Sequence, residues 1–209
     1  GGFHSVHPIS TESDLSRYKL AYGNAFAIYA LAAYYRISEN PDALRLAKKT
    51  FHWLEENSYD SIYGGYYNVL VREGRSVLTP GFEIPSNDYM KNNAVYKDYN
   101  SSIHLLEAFT ELYQVWNDSL LENRLREMLS IVRDTMISLY GYLRLYYHRN
   151  WLPVLFNDSA EKVQRRNMAL DHVSFGHDIE TAYLILEASE ALGNQKDTVS
   201  HKMAKKLVD

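Results

Sequence analysis

The sequence predicts an all-α fold built as a ring of helical hairpins, and three observations carry that prediction. Apolar residues recur at helical spacing over six segments, at about 17–38, 41–57, 97–116, 119–139, 177–192 and 196–208. Short breakers join these segments in pairs: Glu39-Asn40-Pro41, Asn117-Asp118-Ser119 and Gly193-Asn194. The pairs also repeat. Aligning YALAAYYRISENPDALRLAKK, LEAFTELYQVWNDSLLENRLR and LEASEALGNQKDTVSHKMAKK puts Ala30, Ala108 and Ala188 at equivalent places. In a toroid of such hairpins, equivalent positions of the first helices face one shared axis.

Each element has a local reason. Pro41 suits the first turn of a helix, where its missing N–H is no loss, and Asn or Gly between helices stops one and starts the next. The third pair opens inside 174-SFGHDIETAYLILEASEALGN-194, where the helix dipole favours Asp178 and Glu180 in the first turn. Between the pairs lie 63-YGGYYNVL-70 and 140-YGYLRLYYH-148, whose aromatic alternation predicts short β-hairpins or extended loops.

Composition bounds the function classes. A chain of 209 residues, 46% hydrophobic and 23% charged, is a soluble globular domain over 1–209 with room for a large core. The aromatic share of 13% suits a cleft for flat, hydroxyl-bearing ligands such as sugars, although most rings belong to the core. A net charge of −4 gives no reason to expect nucleic acid or an anionic membrane as partner, and no apolar run is long enough to span a bilayer. The absence of cysteine excludes disulfides and thiolate chemistry. The first residues, GGFHSVHPIS, do not look like a signal peptide, and the cytoplasm is the expected location. Because the sequence starts without Met and ends inside a helical pattern at KMAKKLVD, it is expected to be a piece of something longer.

Extending the repeat register backwards matches Tyr22 with Asn100 and Glu180, and Lys19 with Lys97 and His177. Polar residues at inward positions would converge. His177 and Glu180, three apart, share a helix face and suit a coupled acid/base pair, while simple helix capping explains the same cluster. His104 lies between Asn100 and Glu107 on a face of Ile, Leu and Phe, where a histidine is more often a hydrogen-bonded core residue than a catalyst. Its repeat equivalents, Phe26 and Leu184, are apolar, so an imidazole there is chemically unusual. His172 and His177 are five apart, no HExxH spacing occurs, and no metal is expected. Glycine-rich phosphate loops and a Gly-x-Ser-x-Gly elbow are also absent.

The blocks 22-YGNAFAIYALAAYYR-36, 97-KDYNSSIHLLEAFTELYQVW-116, 149-RNWLP-153 and 174-SFGHDIETAYLILEA-188, taken in order, resemble the N-acylglucosamine 2-epimerase family, most closely its cellobiose 2-epimerase branch. The resemblance implies an (α/α)6 barrel, of which this chain is the central part and about half. It also implies a cofactor-free sugar epimerase that inverts C2 of an open-chain aldose through a cis-enediolate. On this mapping His177 is an acid/base residue and Glu180 tunes or orients it. His104 with Asn100 binds hydroxyls or assists ring opening, and Tyr22 and Tyr183 line the sugar site. The family's second acid/base histidine and a sugar-binding arginine belong to segments this chain does not contain, and Tyr183 stands where the branch usually has tryptophan. An aldose–ketose isomerase of the same family, an (α/α)6 glycoside hydrolase or lyase, and a non-catalytic sugar-binding protein are the alternatives. A mono- or disaccharide is the expected partner.

Overall fold

The computed structural model describes residues 2–3, 18–76 and 88–209. Its elements run β1 (Tyr18–Leu20), α1 (Ala21–Ser38), α2 (Pro41–Asn57), β2 (Val69–Val71), α3 (Asp88–Val95), β3 (Lys97–Asp98), α4 (Tyr99–Val115), α5 (Ser119–Ser130), β4 (Tyr146–Tyr147), α6 (Glu161–Arg166), α7 (Phe175–Ala191) and α8 (Thr198–Val208). A wider π-helical turn, Ile131–Met136, continues α5.

The three expected hairpins are α1–α2, α4–α5 and α7–α8. Helices α1, α4 and α7 pack side by side, and each carries its own outer partner. The outer helices bury one stripe apiece, such as Ala43, Ala47, Thr50, Phe51 and Leu54 of α2, because their other face meets water. Helix α4, flanked on two sides and covered by α5, buries residues all round, from Ser101 to Leu112. Phe51 and Phe109, both fully buried, meet edge to face at 5.3 Å and tie α2 to α4.

Caps fix where the helices begin. Asn40 accepts from the Asp42 amide at 3.0 Å beside Pro41, and Asp118 accepts from Leu120 and Leu121 at 2.9 and 3.1 Å. Asp98 does the same for α4, accepting from the Ser101 amide at 2.8 Å.

The short strands pair differently from local hairpins. Tyr18, Lys19 and Leu20 pair antiparallel with Val71, Leu70 and Val69, and Lys97 and Asp98 with Tyr147 and Tyr146. Among the described residues no β-pair lies wholly within either expected segment; the isolated bridges Tyr59↔Tyr66, Leu70↔Ser76, Ile137↔Leu143 and Tyr147↔Pro153 each join a residue inside a segment to one outside it. Alternation marks which residues are extended but not which strand they join. The first two repeats therefore read strand, inner helix, outer helix, strand, and each β-pair pins the start of an inner helix. Residues 97–98 are strand rather than helix for this reason, as are residues 18–20. Residue 17, the expected start of the first helix, lies outside the described residues. Helices α3 and α6 were not expected.

Burial also corrects the repeat register in α7. Ala21, Asn24, Ala25, Ile28 and Ala32 are the buried positions of α1, and Asp178, Thr181, Ala182, Ile185 and Ser189 reproduce that spacing in α7. In α4 the matching positions include Ser102, Ile103, Leu106 and Thr110. This places Tyr183, not Leu184, level with Phe26 and His104, and Ile179, not Glu180, level with Tyr22 and Asn100. Lys19 and Lys97 do correspond, since each sits on a strand over an indole, Trp53 at 5.2 Å and Trp151 at 4.5 Å. His177 is already inside a helix.

Candidate functional site

The N-terminal halves of α1, α4 and α7 bring one set of ring and polar side chains together. His104, in the second turn of α4, has the Tyr22 ring at 5.3 Å and the Phe26 ring at 4.7 Å, both from α1. Its Nδ1 lies 2.9 Å from Glu107 Oε2, one turn on, and its Nε2 lies 3.9 Å from Glu180 Oε1 on α7. The imidazole is 9% exposed and the Glu180 side chain 39%, so the carboxylate stands at the wet edge. Asn100 lies one turn before His104 on the same face of α4, as the sequence predicts. Tyr183 is exposed on α7, and its hydroxyl donates to Glu187 at 3.0 Å.

His177 has a different kind of environment. Ser174 Oγ lies 2.6 Å from its Nδ1, and the Tyr99 hydroxyl lies 3.2 Å from Nδ1 and 3.5 Å from Nε2, with the two rings edge to face at 4.7 Å. Hydroxyls donate and accept, so His177 keeps partners in any tautomer or charge state. His104 is bound by a carboxylate, which when ionised only accepts. His177 thus faces groups that both donate and accept, whereas Nδ1 of His104 faces a carboxylate. Asp178, beside His177, does not cap α7. It is buried and accepts from the Leu143 amide at 2.8 Å, which ties the loop before β4 to α7. Burial pushes its carboxyl above the usual range, and the Leu143 hydrogen bond offsets part of that.

Beyond His104 along the inner helices, Glu111 pairs with Arg36 at 3.1 Å, and Arg36 also donates to Gln114 at 2.8 Å. Burial raises the Glu111 carboxyl, with Glu187 and Glu107 adding to the effect and Arg36 opposing it. Among the described residues no three His, Asp or Glu side chains cluster as metal ligands, and His172 Nδ1 donates to the Met168 carbonyl at 2.9 Å.

The sequence reasoning missed a buried ion cluster at the same end of the inner helices. Asp60, in the turn after α2, takes Lys97 Nζ at 3.0 Å, Arg149 at 2.9 and 3.0 Å, and the Tyr67 hydroxyl at 2.9 Å. The Asp60 and Lys97 side chains are 0% and 1% exposed. Burial alone would raise the Asp60 carboxyl, but hydrogen bonds from Arg149, Lys97 and the Ile62 amide hold it well below the usual carboxylate range. Burial lowers Lys97 in turn, against the pull of Asp60. The cluster joins the turn after α2, strand β3 and the RNWLP loop, and so fixes where Tyr99 and α4 begin. Arg149 and Trp151 belong to the RNWLP motif, but nothing in the sequence links them to Asp60.

The model of the N-acylglucosamine 2-epimerase (GlcNAc 2-epimerase) family matches residues 1–209. The chain belongs to this family. It is 30% identical over 177 residues to a cellobiose 2-epimerase of Bacteroides fragilis, and 33% identical over 179 residues to one of Ruminococcus albus. These matches cover 84% and 85% of the chain but only 40% of each relative. The solved cellobiose 2-epimerase of Bacillus thermoamylovorans superposes with a TM-score of 0.73 at 26% identity, over 91% of this chain and 44% of that one. The fold is thus that of the (α/α)6 epimerases, and the chain spans less than half the length of these relatives.

Proposed function

We propose that the protein is a sugar 2-epimerase that inverts the carbon next to the reducing-end carbonyl of an aldose such as cellobiose. The observation that carries this reading is the pairing of two histidines with partners of opposite kind: His177 on hydroxyls, His104 on a carboxylate. Family membership and the names of the relatives support the reaction class.

In this reading His177 takes the C2 proton of the open-chain sugar, leaving an enediolate whose charge spreads over O1 and O2. Imidazole suits the step because it titrates near neutrality and serves as base in one direction and acid in the other. Glu180, one turn after His177, orients the substrate or the imidazole. His104 and Asn100 hold hydroxyls or assist ring opening, and Tyr22 and Tyr183 border the sugar. Proton return to the opposite face completes inversion. A glycoside hydrolase would need two carboxyl groups facing each other across a glycosidic bond. Here Glu107 and Glu180 instead flank the two nitrogens of one imidazole.

The test is exchange at C2. Cellobiose incubated in D2O with the protein encoded by the full reading frame should gain deuterium at C2 and yield the epimer, with no added metal or nucleotide. His177→Asn should remove the exchange, since the amide forms hydrogen bonds but cannot shuttle a proton. Near-normal exchange in that variant, or bond cleavage without label at C2, would reject the proposal.

A further inference from the structure

We infer that Ser174 is a positioning residue for His177: its hydroxyl holds the imidazole by Nδ1, which leaves Nε2 as the ring nitrogen that meets C2 of the sugar. The inference rests on the epimerase reading and adds to that site a side chain which α7 does not use as a cap.

Ser174 stands at the start of α7, where serine is favoured because its hydroxyl can accept from an amide of the first turn. Here it does not. Asn40, Asp98, Asp118 and Asp197, at the starts of α2, α4, α5 and α8, all accept from such amides, whereas the Ser174 hydroxyl makes no capping bond. Its Oγ lies 2.6 Å from His177 Nδ1 instead. The helix is opened by the Ser174 carbonyl, which accepts from the His177 and Asp178 amides at 3.0 and 3.1 Å. A side chain that forgoes its local bond for a contact with an ionisable ring breaks the helix-start rule, and such breaks mark functional places. The contact needs no particular protonation state. A hydroxyl accepts from a protonated Nδ1 and donates to a bare one, so the ring keeps its place while Nε2 gains and loses a proton. A carboxylate there would favour the charged ring, whereas a hydroxyl serves both the base and the acid step. Two other groups border the ring. The Tyr99 hydroxyl lies 3.2 Å from Nδ1 and 3.5 Å from Nε2, the latter at the limit of hydrogen-bond range and so open to replacement by a sugar. Asp178, next in the chain, is engaged with the Leu143 amide. Ser174 acts only through His177.

Deuterium exchange at C2 of cellobiose, measured on the protein encoded by the full reading frame, tests the role. Ser174→Ala should lower kcat about 10–100-fold, the range seen when a group that orients a histidine at a metal centre is lost. KM should stay nearly unchanged, because the lost contact is to the base and not to the sugar. Ser174→Thr keeps the hydroxyl and should recover most of the rate. Ser174→Gly should lose as much as the Ala variant while placing a residue favoured at helix starts, and it covers the case in which the Ala variant does not fold. Melting separates positioning from capping. Asp118→Ala removes a true cap from the outer helix α5 and should lower Tm more than Ser174→Ala, with exchange intact. An unchanged kcat in both the Ala and Gly variants, or a loss confined to KM, would overturn the inference while the epimerase reading stands. Absence of exchange in the wild type would instead reject that reading, and the assignment of Ser174 with it.

Discussion

Replacing Asp60 by Asn should be among the most damaging polar substitutions in the chain, although it keeps the side chain's shape. Asp60 is buried, with Lys97, Arg149, Tyr67 and the Ile62 amide all donating to its two oxygens. Asparagine turns one oxygen into a donor facing other donors. Arg149, 46% exposed, can swing out to water, but Lys97, 1% exposed, cannot. Apart from the one oxygen that asparagine retains, among the described residues it keeps the Gly64 carbonyl and the Trp151 and Tyr67 rings. Removing one partner of a buried ion pair costs about 3–5 kcal/mol. For a chain of this size each kcal/mol moves Tm by about 2–4 °C, so a fall of roughly 6–20 °C is expected by calorimetry. Asp60→Asn combined with Lys97→Met should recover most of the loss, because the stranded charge is gone. The folded carboxyl lies below its unfolded value, so its contribution is complete above the ordinary carboxylate pKa and lost as pH falls through the folded value. Wild-type unfolding free energy should therefore drop below about pH 4, and the Asn variant should show a shallower drop. A Tm change under about 2 °C, or a double variant no better than the single, would refute the reasoning.

Two further outcomes are expected. Gly65 has φ +69°, and an added Cβ would lie 2.4 Å from Trp151 Cζ2, whereas Gly193 has φ +79° with nothing within 4 Å. Gly65→Ala should cost about 1–3 kcal/mol more than Gly193→Ala, the difference being overpacking alone, as read by urea midpoints of the two variants. The 209-residue chain assayed by itself should epimerise cellobiose about 10²–10⁴-fold more slowly than a full-length relative, because inversion needs proton delivery on both faces and His104 is held by Glu107. Turnover equal to a full-length relative would show that the second proton carrier lies among these residues.

The sequence by itself determined the hairpins and their caps. Apolar spacing, Pro41, Asn40 and Asp118 act within a few residues of one another, so the helices α1, α2, α4, α5, α7 and α8 were legible to within a turn or so at their ends. It also named His104, His177 and Glu180 as unusual, since ionisable groups at the start or on the apolar face of a helix stand out against their neighbours. Tertiary structure decided what those groups face. The strands after the outer helices join residues some fifty positions away, which alternation cannot specify. A one-residue error of register in α7 turns a side chain by about 100° around the helix, and that is why Tyr183 rather than Leu184 stands level with His104. Asp60, Lys97 and Arg149 are far apart in the chain and each looks like an ordinary surface charge. Only their burial together makes them a cluster, because an ion pair depends on distance and desolvation, which no single residue carries.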